Sequence, residues 1–348
     1  MTNAKIEKIA FEVIKTLKSR FDTFPENEMD NRNAPFHEAF LNAFSVKLEG
    51  KVKSVPFLIT LSSWLHGLST TLGQSFFERV SHILSNGEKR EFRDLIISSR
   101  QETVISDIIT ELKNGQRQPD VSSEDNILKY QGEILDRHIP NFTADVFYET
   151  DNEIIAIELK TVKPNSGVFK VEKEKILQAK TGLRNKYLGK KVSYYLGFPF
   201  DPTSKQPTKS NKERYFGYSI DFRKYFHPQE ILLADELWNF LSGETGTMEL
   251  ILSIINSIAK PDFMNKFDII NQPILQIATK SKAILHDWFL FTELQIIQNF
   301  PHLNDLSIKD KTLKRILAQC PFSPDGKINT NRLDIIRPFL EGGEQNAK

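Results

Sequence analysis

The sequence predicts an α+β protein: a mixed β-sheet with an α/β core, flanked by helices and extended by helical N- and C-terminal additions. Three observations carry this reading. Apolar residues recur at helical spacing over the first 22 residues and through most of the chain after Pro228. Between these regions, β-rich runs alternate with one long basic helix, the pattern of a sheet with a crossover. The length, 348 residues with 39% hydrophobic and 26% charged, suits a well-buried globular core and allows two or three domains. No internal repeat is present.

The elements follow in order. Ile6, Ile9, Val13, Ile14 and Leu17 give the first helix its apolar face, and the polar stretch FPENEMDNRNAP follows as a loop. PFHEAFLNAF reads as a second helix and LGQSFFERVSHILSN as a third, with Phe76, Phe77, Val80, Ile83 and Leu84 on one face. WLHGLSTTLGQ (Trp64 to Gln74) precedes it. Its Ser69, Thr70 and Thr71 suit helix capping, and its backbone N–H groups suit a phosphate. SSRQETVISDIITELKNG is a fourth helix, stopped by Gly115. FTADVFYET and EIIAIELKTV are strands separated by Asp151-Asn152, and KPNSG is a turn. The basic helix VFKVEKEKILQAKTGLRNKYL and the strand KVSYYLGFPF come next, then the polar loop DPTSKQPTKSNKER and a last candidate strand, RYFGYSIDF. From Pro228 to about Phe300 the chain reads as helical, and a short helix-rich tail ends it. The regions expected are 1–66 (helical), 67–227 (core, with a helical insertion near 88–135) and 228–348 (helical).

Composition excludes several classes. Cys320 stands alone, so neither an intramolecular disulfide nor a cysteine zinc spacing is available. His66, His138 and His286 form no metal spacing, and no glycine-rich nucleotide loop is present. The first 21 residues are charged throughout, unlike a secretory signal, and the longest apolar stretch, Leu250 to Ala259, is too short to span a bilayer. A soluble, cytoplasmic protein without membrane contact is expected. The net charge of +1 argues for no partner by itself. It conceals a basic centre: Asp151 to Lys224 holds 16 Lys/Arg against 8 Asp/Glu, a net +8, which leaves −7 for the rest. Such a stripe suits phosphate contact, or else a solvated helix face.

One hairpin carries the chemistry. With Asp151-Asn152 as a two-residue loop, Thr150 pairs with Glu153, Phe147 with Ala156, and Asp145 with Glu158. Opposed residues share a sheet face with Cβ atoms roughly 4.5–5.5 Å apart. Lys160, two residues past Glu158, shares that face, while Ile155, Ile157 and Leu159 form an apolar stripe on the other. Two adjacent carboxylates repel unless a cation lies between them, and a divalent ion with oxygen ligands fits. The lysine is then placed to orient or deprotonate an attacking water, and a nucleic-acid phosphate completes the ion's coordination.

Asp145 followed by Glu158-Leu159-Lys160 on a β-hairpin resembles the PD-(D/E)XK nuclease superfamily, and the layout of the chain is most similar to a type II restriction endonuclease. The motif-bearing part spans roughly residues 67–200. The resemblance implies a restriction-endonuclease-like core and sequence-specific Mg²⁺-dependent cleavage of double-stranded DNA to leave 5′-phosphate ends, within a restriction–modification system. It implies that Asp145, Glu158 and the Leu159 carbonyl hold Mg²⁺ and that Lys160 helps to activate water. GQSFFE resembles the superfamily's Gly-x-x-Φ-Glu pattern with one extra residue, which makes Glu78 an accessory acid, with Glu133 as the rival. Ala144 stands where a proline often precedes the aspartate. Gln178 has Gly182 rather than tyrosine four residues on, unlike exonucleases of the RecB type.

Helices that follow the catalytic strand in this superfamily commonly approach DNA. Lys175, Lys180 and Arg184 are therefore expected phosphate contacts, together with Lys163. Lys209, Lys212 and Arg214, in or beside the basic loop, are expected to contact DNA as well. A homodimer on a short palindromic site, formed through the helices of Leu232 to Phe300, is the expected assembly, and a cognate DNA methyltransferase the functional partner. A fainter likeness is to enzymes of interrupted GC-rich palindromes of the GGNCC type. The competing readings are a repair or junction-resolving nuclease of the same fold, a non-catalytic DNA-binding protein, and a metal-free structural hairpin.

Overall fold

The hairpin forms the middle of a five-stranded mixed sheet. The strands are β1 (Glu88–Phe92), β2 (Ile96–Ser98), β3 (Leu135–His138), β4 (Phe142–Glu149), β5 (Glu153–Leu159), β6 (Lys191–Phe198) and β7 (Ile231–Leu233). The order in the main sheet is β1-β4-β5-β6-β7, and β2 and β3 make a separate antiparallel pair. β4 is antiparallel to β1 and β5, while β5, β6 and β7 are parallel. This computed structural model describes residues 1–26, 34–161, 166–217, 220–276 and 281–341. Most of the first polar loop, most of the KPNSG turn and the candidate contact Lys163 lie outside them.

The predicted register holds. Val146 pairs with Ile157 and Phe147 with Ala156, and the Thr150 N–H donates to the Glu153 carbonyl at 2.8 Å across the two-residue loop. Ile154 to Ile157 are all buried, on both faces. A strand that pairs on each side and is covered on each face reads as an unbroken apolar run. The two charges after Ile157 therefore stand where the central strand leaves the core.

Each face is covered by helices that the sequence specifies. On one, Gly197 opposite Leu159 leaves no room for a side chain: a Cβ there would stand 2.9 Å from Ile157 and 3.1 Å from Leu237. The glycine thus lets the helix Asp235–Ser242 close on the sheet. On the other, the helix Ser166–Lys186 connects β5 to β6. Its Lys173 is fully buried between Glu124 (2.7 Å) and Glu230 (2.6 Å). This triad ties the helix to the short helix Val121–Ile127 and to the turn before β7.

Several elements differ from the sequence reading. RYFGYSIDF is not a strand. Its described residues lie in two short helices, Lys212–Gly217 and Ile220–Tyr225, whose Tyr215, Phe216 and Phe222 pack with Phe169, Phe198 and Phe226. That aromatic cluster overrides the β-preference of its members. Ile231–Leu233 is a buried parallel strand inside a region read as helical. The stretch 88–135, read as a helical insertion, holds the helices Ser99–Asn114 and Val121–Ile127 but opens on β1. Ser69, Thr70 and Thr71 precede no helix. They lie inside the helix Val55–Thr71, which is followed by a π-turn (Leu72–Phe76), and their hydroxyls donate to the carbonyls four residues back.

The chain forms two compact units. One takes 77–250, the sheet and its covering helices; the other takes 1–76 with 251–348 and is helical in its described residues. In the helical unit Leu303, Leu313, Ile316, Leu333 and Ile336 form one core. The Glu7 carboxylate caps the helix Phe291–Gln298 through the Thr292 N–H (2.7 Å) and hydroxyl (2.6 Å). Arg332 and Glu293 make an ion pair that is fully buried.

Candidate functional site

The site lies where β4 and β5 leave the core beside the helix Ser166–Lys186. Continuing the register from Val146 and Ile157 puts Asp145 against Glu158. Asp145 accepts a hydrogen bond from the Leu159 N–H at 2.9 Å, which fixes its carboxylate beside the end of β5. The backbone is pinned too: the Asp145 carbonyl contacts His82 Nε2 at 2.7 Å, and the Lys160 N–H donates to the Gly197 carbonyl at 2.8 Å. Burial, and next the charge of Glu158, push the Asp145 carboxyl above the usual carboxylate range, although the Leu159 N–H and Lys89 oppose this.

The lysine is held as an ammonium. Lys160 Nζ donates to Glu158 Oε1 at 2.9 Å and to Glu172 Oε1 at 2.8 Å. Burial alone would lower its affinity for a proton, but the two carboxylates outweigh that and raise it. Lys175 donates to the other oxygen of Glu158 at 2.8 Å. From β1, Lys89 donates to Glu78 at 2.7 Å and stands 3.7 Å from Asp145. Glu78 contributes to the repulsion felt by Asp145. The site thus gathers four carboxylates and three ammoniums. Four of these groups, Lys89, Asp145, Glu158 and Lys175, line an open cavity of about 590 Å³, together with Thr143 and Gln178 among others.

The donor set suits a hard divalent cation. Its ligand atoms are oxygens, and two carboxylates share one sheet face, one of them raised by burial and next by the charge of the other. Glu172 Oε2 and the Tyr194 hydroxyl are buried with no hydrogen-bond partner. Burial, then the charges of Glu158, Asp145 and Glu172, push the Tyr194 phenol well above its usual value. The described residues contain no ready-made cage of three or more His, Cys, Asp or Glu. A small cation bound through one or two carboxylates keeps several waters and takes a substrate phosphate, so such a cage is not required.

The structure brings Asp145, Glu158, Leu159, Lys160, Glu78 and Lys175 together. Other candidates stand elsewhere. Glu133 bonds Ser98, Arg100 and the Gln131 N–H. Although desolvation opposes it, this backbone and side-chain bonding holds the Glu133 carboxyl down at about 2. Lys180 and Arg184 both pair with Asp125, Lys180 at 2.6 Å and Arg184 at 2.5 Å. Lys212 pairs with Glu236 at 2.7 Å, and Arg214 with Asp201 at 3.0 Å. Lys209 is exposed on the loop before them. That loop is folded around the buried Asp201 carboxylate, which accepts from Thr203 and from the Asn211 N–H.

Sequence reasoning missed Lys89, His82, Glu172 and Tyr194. Glu172 had a usable signal: it stands three residues before Lys175, a candidate that the sequence singles out, so the two are neighbours on one helix face.

A family model described as "Type II restriction endonuclease, HinfI" matches residues 1–259. The type II restriction enzyme MjaII of Methanocaldococcus jannaschii is 44% identical over 363 aligned positions, which take in 97% of this chain and 98% of that enzyme. No helix among the described residues is long and apolar enough to cross a membrane.

Proposed function

The chain belongs to the HinfI family of type II restriction endonucleases, and on that premise we propose that Asp145, Glu158 and Lys160 form its phosphodiester-cleaving site, with Glu78 as accessory acid. The protein is a sequence-specific endonuclease acting on DNA. The observation that carries the site assignment is the hairpin register, Val146 with Ile157, whose next step sets Asp145 against Glu158, with the Leu159 N–H bonded to Asp145 and Lys160 bonded to Glu158.

The residues divide the work as follows. Asp145, Glu158 and the Leu159 carbonyl would hold Mg²⁺, which when bound would supply activation of the attacking water and charge neutralisation at the phosphate. Lys160 holds the attacking water in line with the scissile bond. Glu172 orients Lys160 through a second hydrogen bond to its ammonium. Attack by water on phosphorus with departure of the 3′ oxygen leaves 5′-phosphate and 3′-hydroxyl ends. Lys175 reaches a backbone phosphate from the cavity wall, and the exposed Lys209 reaches DNA from its loop. Lys180, Arg184, Lys212 and Arg214, each already matched by a carboxylate, contribute through the framework that presents the basic surface. A homodimer on a short palindrome, a companion methyltransferase and a cytoplasmic setting complete the reading.

The test is digestion of phage DNA with Mg²⁺ and with EDTA. Discrete bands in Mg²⁺ alone are expected, and sequencing the ends gives the site and the cut position. A smear would favour a structure-selective repair nuclease instead. Asp145→Ala and Lys160→Ala should lose cleavage by at least about 10³-fold while keeping DNA binding. Normal cutting by either variant overturns the assignment.

A further inference from the structure

The ammonium groups of the site sit where an arriving cation must act. Lys175 Nζ lies 2.8 Å from Glu158 Oε2, and Lys89 Nζ lies 3.7 Å from Asp145 Oδ1 while bonded to Glu78. Asp145 and Glu158 are the two carboxylates that the proposed function gives to the divalent ion. An ammonium and a divalent cation compete for the same oxygen lone pairs, because each needs direct contact with them. Both lysines also line the cavity beside these carboxylates, and both retain exposure, 50% for the Lys89 side chain and 29% for Lys175. Each head group rides a flexible four-carbon stem, so it can change partner without moving the backbone. Lys160 differs, since Glu172 holds it when Glu158 is otherwise engaged.

We propose that Lys89 and Lys175 are exchangeable counter-cations: they neutralise Asp145 and Glu158 until a divalent ion binds, and the ion then releases them to phosphates of the DNA backbone. This inference rests on the metal-binding role given to Asp145 and Glu158 above. It makes metal binding and DNA binding one coupled equilibrium, in which each ligand favours the other by the same factor. The site then carries its own charge balance before metal arrives. The two lysines, one on β1 and one on the crossover helix, gain a phosphate-binding role only in the loaded state.

The exchange predicts an effect of unusual sign. Removing a lysine that competes with the metal should strengthen metal binding in the absence of DNA. Mn²⁺ is titrated into DNA-free protein and free ion is read by electron paramagnetic resonance. Lys175→Ala and Lys89→Ala should each bind Mn²⁺ roughly two- to five-fold more tightly than the unaltered protein, the range a partly exposed ion pair is worth. Lys186→Ala, an exposed lysine on the same helix, should leave the affinity unchanged. Lys175→Met keeps the packing of the stem and should behave as Lys175→Ala, which separates lost charge from a damaged fold.

DNA binding supplies the second readout. A fluorescein-labelled duplex is titrated at several NaCl concentrations, in Ca²⁺ and in EDTA, and gels verify that the duplex stays intact. Two released lysines should steepen the logarithmic salt dependence in Ca²⁺ by about 1.8, at about 0.9 per phosphate contact. Each single variant should show about half of that change and the double variant none. Variants that bind Mn²⁺ no more tightly than the unaltered protein, or that keep its full change in salt dependence, overturn the exchange and leave the metal site standing. Unaltered protein that binds no Mn²⁺ overturns the metal site itself, and the exchange with it.

Discussion

At the scale of single residues, the site shows how a lysine beside two acids is kept useful. Lys160 is paired with both Glu158 and Glu172, so it is an ammonium, which fits the proposed role of a donor that orients water rather than that of a free base. Glu172 is the less obvious member of the pair. One of its oxygens holds Lys160 and the other is buried without a partner. Glu172→Gln keeps the shape but removes the charge that fixes the lysine. It should lower the single-turnover cleavage rate by about 10- to 100-fold, the usual loss when a group that orients a functional residue is neutralised. DNA affinity in EDTA should not change. An equal loss of affinity and rate would mean that Glu172 supports binding rather than the orientation of Lys160.

At the scale of elements, the site's support depends on pieces of very different legibility. The hairpin was readable because its loop chemistry and its apolar run agree, so counting outward from Asp151-Asn152 gives the correct partners. The long crossover helix was readable for the same kind of reason. β1 was not. Four of its five residues, Glu88, Lys89, Arg90 and Glu91, are charged, as suits an edge strand that must not recruit another chain. With it went Lys89, since no local pattern links that lysine to a hairpin more than 50 residues away. β7 was hidden by the opposite cause, because three buried apolar residues look alike in a strand and a helix. The charge count also hid pairing: Lys173, Lys180, Arg184, Lys190, Lys191, Lys212 and Arg214 all have carboxylate partners within the protein.

The loop around Asp201 gives this scale its prediction. Burial opposes ionisation of Asp201, but bonds from Thr203, Asn211 and Arg214 outweigh it and hold the carboxyl below its ordinary value of 3.8. A carboxyl lowered by folding stabilises above its unfolded value, and that contribution is lost as pH falls through the lowered one. Hydrogen exchange in peptides covering 199–214, corrected for intrinsic rates, should therefore show protection that is steady above pH 4 and falls below it. Asp201→Asn should flatten this dependence and speed trypsin cleavage after Lys205 and Lys209 at neutral pH. Unchanged cleavage would show that the loop is held by something else.

At the scale of the whole molecule, the two units each contain a buried charge cluster, Lys173 with Glu124 and Glu230 in one and Arg332 with Glu293 in the other. Removing one member of such a cluster leaves a charge buried without its partner, at a cost of about 3–5 kcal/mol. Lys173→Met and Arg332→Met should each destabilise by that much in urea unfolding. The clusters share no partner, so the double variant should sum the two within about 0.5 kcal/mol. A shortfall of several kcal/mol would reveal coupling between the units.

The division of the chain also has a consequence in time. The sheet unit is one continuous stretch, 77–250, whereas the helical unit needs residues from both sides of it. On the ribosome, the strands and helices that carry Asp145, Glu158 and Lys160 are therefore synthesised before the 98 residues from 251 to 348 that the helical unit also needs. At about 5–20 residues per second, that leaves an interval of roughly 5–20 s. During it a nascent chain carries the residues of the proposed cleavage site but less than half of the residues of its helical unit.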